Sequence, residues 1–219
     1  MPVLRLSATA ALYCFATSAT AEIISIDNTR PRLDVHGEVV NSHDGTIRWL
    51  EGEFWLHAAS YGAAPGGGLC NDPPDTGCQK NTPAPGCGFY PNHNISMYSS
   101  PNMSSGSWMY RGDALRCEEL PDCAILYRPH LVWNPTTQLY VLFYNYVTKS
   151  ETGSRVGAAT AKHPAGPWSL RTIAMPMARP MLKSNHNGSV GDFDVLVDDD
   201  GTAYMVYSYG PMSIEQLST

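Results

Sequence analysis

Past residue 22 the apolar positions fall in short runs, with no helical spacing among them. These runs are rich in Val, Ile, Tyr, Phe and Trp and are separated by Gly, Asn, Asp and Pro, the pattern of β-strands joined by turns. Three stretches are alike. Thr46-Ile47-Arg48-Trp49-Leu50 turns at Glu51-Gly52-Glu53 into Phe54-Trp55-Leu56-His57. Leu131-Val132-Trp133 turns at Asn134-Pro135-Thr136 into Tyr140-Val141-Leu142-Phe143. Asp194-Val195-Leu196-Val197 turns at Asp198-Asp199-Asp200-Gly201 into Tyr204-Met205-Val206-Tyr207. Each predicts a β-hairpin.

A third strand follows each hairpin: Ser96 to Ser100, Gly157 to Ala161, and Ser213 to Leu217. Trp108 and Trp168 then mark a fourth strand after the first two. Four antiparallel strands, repeated, are the signature of propeller blades. The expected fold is therefore an all-β propeller with two complete blades and a third that lacks its last strand. Propellers close with four or more blades, so the sequence reads as a truncated one. The first repeat is longer than the second because Tyr61 to Pro91 intervenes. That stretch, rich in Gly, Pro and Cys, reads as a loop of about 61–91 inserted in blade one and stapled by disulfides.

Residues 1–21 read as a secretory leader. Arg5 supplies positive charge, Ala8 to Ala16 is apolar, and Ala19-Thr20-Ala21 is a cleavage site of small residues. The apolar stretch is too short for a membrane span. The expected domain is thus 22–219, in a secreted protein. Cys14 leaves with the leader, so five of the six cysteines remain: Cys70, Cys78, Cys87, Cys117 and Cys123. In an oxidising compartment two disulfides and one leftover thiol are expected. Their spacing fits no zinc pattern, and neither a metal nor another cofactor is expected. Sequons at Asn94, Asn102 and Asn187 agree with secretion. The net charge of −6 comes without a Lys/Arg cluster, so nucleic acid and membrane are poor partner choices. A neutral ligand such as a polysaccharide or oligosaccharide needs no basic patch.

In a propeller the innermost strand of each blade starts near the central axis, and those starts converge. Here they bring His43-Asp44, Arg128-Pro129-His130 and Asp192-Phe193-Asp194 toward one pocket. Carboxylates from two blades facing one pocket suit glycoside hydrolysis, where one activates water and another protonates the leaving oxygen. Each residue also has a plainer use. Asp198 to Gly201 is most simply a hairpin turn. Asp44 can serve a tight turn with Gly45, and Asp192 can cap a loop. Asp194 shares a strand face with Asp192 and competes for its role. His43 and His130 can be structural donors. Arg128 can hold sugar hydroxyls or pair with Asp44 or Asp192. The five tryptophans, Trp49, Trp55, Trp108, Trp133 and Trp168, are expected mostly in blade cores.

The segment from Asp192 to Tyr204, an Asp, apolar residues, an Asp/Gly turn and a Tyr, resembles the middle-aspartate motif of glycoside hydrolase family 43. His43-Asp44-Gly45-Thr46-Ile47 resembles that family's first-blade motif, and Tyr127-Arg128-Pro129-His130-Leu131 the start of its second blade. The resemblance runs from about Asp34 to the end and implies a five-bladed β-propeller of which about two and a half blades are present. It also implies an inverting mechanism with Asp44 as general base and Asp192 tuning and orienting the acid. His43, Arg128, His130 and Asp194 would contact substrate. The family includes enzymes acting on galactan, arabinan and xylan. In its β-1,3-galactan group the base aspartate can be missing, so Asp44 is a feature of the main family. The family's general acid is a Glu at the start of a later blade, beyond Thr219. Glu215 is no substitute, because it lies in the third strand of blade three. Two other classes stay open: a non-catalytic carbohydrate-binding propeller and a secreted propeller used for protein contacts.

Overall fold

The computed structural model describes residues 29–60, 93–149, 154–177, 190–208 and 212–218. The expected leader, the insert with Cys70, Cys78 and Cys87, and the sequon at Asn187 lie outside them. The described chain is all-β, as the alternating runs predict. β1 (His43–Leu50), β2 (Glu53–Ala59), β3 (Ile95–Ser100) and β4 (Met109–Leu115) form one antiparallel meander. β5 (Cys123–Asn134), β6 (Leu139–Thr148), β7 (Ser154–Ala161) and β8 (Ser169–Thr172) form a second. β9 (Phe193–Val197), β10 (Ala203–Ser208) and β11 (Met212–Gln216) form a third, of three strands. These are two four-stranded propeller blades and the first three strands of another. The fold is that of a partial propeller.

Local chemistry sets each turn. Glu51 and Gly52 both take positive φ, 52° and 86°, which matches the right-handed twist of the flanking strands. Asn134 Oδ1 accepts from the backbone N–H of Thr136 and Thr137 at 2.9 and 3.1 Å, an Asx turn that ends β5. In the third hairpin Asp198 N–H donates to Thr202 O, and Asp200 Oδ1 accepts from Thr202 N–H, both at 2.8 Å. The Asp-rich run is therefore a turn, as its simplest reading holds.

The strand period of two builds two cores from one strand. Leu142, Tyr144 and Tyr146 of β6 face blade one, where they meet its Ile95 and Met97 together with Leu126 and Leu131 of β5. Phe143, on the opposite face, packs with Val156, Phe193, Val195, Met205 and Tyr207 of blades two and three. Tyr144 lies flat across β7, and a Cβ on Gly157 would stand 2.5 Å from its Cζ, so only glycine fits there. On the far side of blade one, Val40 and Trp108 close over Leu56, Ala58 and Tyr98. Cys117 and Cys123 form a disulfide across the link between the first two blades. A loop this short is worth about 2 kcal/mol in lost unfolded-state entropy.

Two of the tryptophans depart from the core expectation. Trp55 and Trp108 are buried and Trp168 is half-buried, but Trp49 and Trp133 are exposed. Both stand near the far ends of the inner strands β1 and β5, where Trp49 leans on Phe54 and Trp133 on Tyr140.

Candidate functional site

β1, β5 and β9 lie side by side as the inner strands, and their starts meet at one end. Thr46 Oγ1 donates to Pro129 O at 3.2 Å and ties the first two starts together. Both of these strands are irregular there. The pairing of β1 with β2 shifts between His43 and Thr46, and that of β5 with β6 shifts between Tyr127 and His130. Such bulges re-aim side chains. Within each bulge one non-glycine residue is left-handed: Asp44 at φ 50° and Arg128 at φ 50°. Gly45 lets β1 close on β2, since a Cβ there would stand 2.5 Å from Ala58 Cβ and 2.6 Å from His57 O. Pro129 sits at the bulge of β5, where a missing N–H costs no ladder bond.

Arg128 emerges from its bulge over the Tyr127 ring, 4.7 Å from the centroid, and places Nη2 2.6 Å from Asp192 Oδ1. Of the pairings open to Arg128, the one with Asp192 is the one formed. Asp192 is 81% exposed, so the pair adds at most about 1 kcal/mol of stability. A left-handed arginine costs on the order of 1 kcal/mol or more. Stability alone therefore gives no reason for this geometry.

Asp194 has its own partner. His130 Nδ1 stands 3.0 Å from Asp194 Oδ1, off line for a hydrogen bond, and the His130 ring packs on Phe193 at 4.7 Å. Burial lowers the pKa of His130 below the usual histidine value, although Asp194 opposes the shift. His43 behaves alike. Burial lowers its pKa against the pull of Asp44, whose Oδ2 is 3.4 Å from His43 Nδ1. The Arg128 charge also acts on His43. Asp44 and His43 from β1, Arg128 and His130 from β5, and Asp192 and Asp194 at β9 thus lie at neighbouring strand starts.

One member was not legible from the repeat. His93 is fully buried, and its Nδ1 lies 3.3 Å from His43 Nε2. It precedes β3 and pairs in parallel with Ile125 of β5. It belongs to no inner strand and follows the Cys-rich insert, so neither period nor motif marks it.

An open recess of about 680 Å³ runs from Asp194 along Leu196 and Trp133 to the 198–201 turn, with Arg48 on its wall. A second of about 360 Å³ lies between blades two and three beside the same turns, lined by Val132, Phe143, Met175 and Leu217. Among the described residues no group of three or more His, Cys, Asp or Glu side chains is arranged to hold a metal ion. No helix among them is long and apolar enough to cross a membrane.

The class defined by this fold and cluster is a β-propeller with carboxylates converging at the starts of its inner strands. Solved structures that it resembles include glycoside hydrolases of family 43. An exo-β-1,3-galactanase from Clostridium thermocellum superposes with TM-score 0.65 at 19% identity, over 88% of this chain and 38% of that one. A family 43 β-1,3-galactosidase with galactodeoxynojirimycin gives 0.63 at 21% identity, over 88% and 62%. An exo-β-1,3-galactanase from Phanerochaete chrysosporium with β-1,3-galactotriose gives 0.60 at 19%, over 85% and 37%. The chain thus spans between about a third and three-fifths of the length of these three structures. No family model matches the sequence, and no curated protein does.

Proposed function

We propose that this chain carries part of the active site of a secreted, inverting glycoside hydrolase acting on a β-1,3-linked galactan. The observation that carries the reading is the pair of bulged strand starts, where Asp44 and Arg128 are left-handed beside Asp192. Asp44 is the general base that deprotonates water, a residue that the β-1,3-galactan group can lack and that this chain carries. Arg128 holds Asp192, which tunes and orients the acid. His43 and His130, neutral at pH 7, and Asp194 line the sugar's approach. Inversion requires base and acid to stand about 6.5–9.5 Å apart, with water between base and sugar. The acid is not supplied by Glu215, which accepts a hydrogen bond from Tyr207 within blade three. The choice of galactan rests on what the similar structures bind and cleave.

The test is hydrolysis of β-1,3-galacto-oligosaccharides by the protein and by Asp44→Asn, with binding followed by calorimetry. Loss of roughly a hundredfold or more in turnover, with binding retained, supports the base role. Equal turnover in both sinks it. The commitment of Glu215 to Tyr207 favours a second reading, a non-catalytic sugar-binding propeller. That reading predicts binding with no turnover in either protein. Secretion is checked by sequencing the exported protein, which should begin at Glu22.

A further inference from the structure

His43 is held at both ring nitrogens. Nδ1 lies 3.4 Å from Asp44 Oδ2, and Nε2 lies 3.3 Å from His93 Nδ1. The two imidazoles meet edge to face, 74° apart with centroids at 5.0 Å. A carboxylate only accepts, so a proton on Nδ1 suits the Asp44 contact. In a neutral ring with that proton Nε2 is an acceptor, and His93 Nδ1–H stands within reach to donate to it. His93 is set for this from behind. It is fully buried, its carbonyl accepts from Leu126 N–H at 3.3 Å, and it bridges to Ile125. The next residue, Asn94, is locked to Ser60 by backbone N–H to Oγ at 3.1 Å and by Ser60 N–H to Asn94 O at 2.9 Å. The backbone around His93 is therefore held by both blades, while Asp44 stands on a strained bulge.

We propose that His93 is a positioning residue: its Nδ1–H fixes the Nδ1–H tautomer of His43, through which Asp44 is oriented. The inference rests on the reading of Asp44 as base. The chemical sense of a neutral relay is direct. A neutral N–H aims the carboxylate and leaves its charge uncompensated, whereas an imidazolium beside it would quench its basicity. The Ser60 backbone also acts on His43 and favours its cation, and the Arg128 guanidinium opposes it. Without His93, the Ser60 backbone competes for the proton and the tautomer is no longer fixed.

The experiment is long-range 1H–15N NMR of the histidine rings in the protein, in His93→Leu and in His93→Asn. An asparagine amide sits near the position of a histidine Nδ1 and retains a donor. We expect His43 as the Nδ1–H tautomer in the parent and in His93→Asn, and a tautomer mixture in His93→Leu. Turnover should fall roughly tenfold in His93→Leu at unchanged KM, and return in His93→Asn. An Nε2–H tautomer of His43 in the parent overturns the proposal, as does an unchanged tautomer in His93→Leu. Should the leucine variant not fold, the parent and asparagine spectra still decide. Asp44→Asn separates the two readings. Full turnover in it removes the base role, while lost turnover beside an unchanged His43 tautomer in His93→Leu removes only the role of His93.

Discussion

His57 shows how one buried side chain ties stability to pH. It is fully enclosed between Trp55 and Trp168, and its Nε2 lies 2.9 Å from the Pro164 carbonyl. Burial pushes its pKa down from 6.5 to about 4. The unfolded chain therefore binds a proton at a pH where the folded one does not. The stability held above pH 6.5 is lost as the pH falls toward 4, by an amount on the order of 3 kcal/mol. His43 and His130, also lowered, act in the same direction. Denaturant midpoints measured from pH 7 to 4 should fall, and His57→Gln should flatten the fall while lowering stability at pH 7. An equal slope in parent and variant would show that His57 does not carry it. Asn94 makes a second point at this scale. As a sequon it reads as a surface acceptor, yet its Nδ2 donates to Asp113 Oδ2 at 3.1 Å and its Oδ1 accepts from Cys117 N–H at 2.9 Å. A glycan there would take the place of one Nδ2 hydrogen, beside the Asp113 carboxylate that Nδ2 serves. Mass spectrometry of the exported protein should find Asn94 unmodified, and Asn94→Ala should cost about 1–3 kcal/mol from the buried partners left unpaired.

Strands explain what could be read in advance. The three hairpins were legible because their alternation and turn residues agree, and β2, β6 and β10 stand where Phe54, Tyr140 and Tyr204 predict them. The first half of β5 was not legible as strand. Its Arg-Pro pair breaks the alternation, and the bulge between Tyr127 and His130 shifts the phase. Those residues were found as candidates by motif and by their place in the repeat. The burial of the tryptophans was half legible, because whether Trp49 and Trp133 are covered depends on packing at the strand ends and not on period. His93 was invisible because its importance comes from one contact across a long insertion. At the bulge of β1 the close approach of strands gives a sharp prediction. Gly45→Ala forces a methyl into Ala58 and the His57 carbonyl. It should cost about 1–3 kcal/mol by overpacking. It should also lower turnover more than the stability loss accounts for, because Asp44 moves with the backbone. A variant that loses stability but keeps full turnover in its folded fraction would show that the bulge does not position the base.

Across the whole molecule the two outer blade faces differ. On blade one the segment around Val40 covers the sheet, and Arg32 lies over the Trp108 ring at 5.5 Å. On blade three, Phe193, Val195, Met205 and Tyr207 point into the core shared with blade two. The opposite face shows Leu196, Met212 and Ile214 at 60, 64 and 70% exposure. These three come from both outer strands of the sheet. An apolar patch on a strand at a sheet edge is the arrangement that soluble proteins usually cover or charge. Residues 22–219, produced alone, should therefore self-associate as concentration rises and melt without a sharp reversible transition. Replacing Met212 and Ile214 with Glu and Lys leaves the blade-two core untouched, since neither side chain reaches it. It should return the chain to a monomer in sedimentation velocity. If the parent is monomeric at every concentration and melts sharply and reversibly, the face needs no cover. Association that persists in the double variant would move the sticky surface elsewhere, with the exposed Trp49 and Trp133 on the inner strands next to be tested.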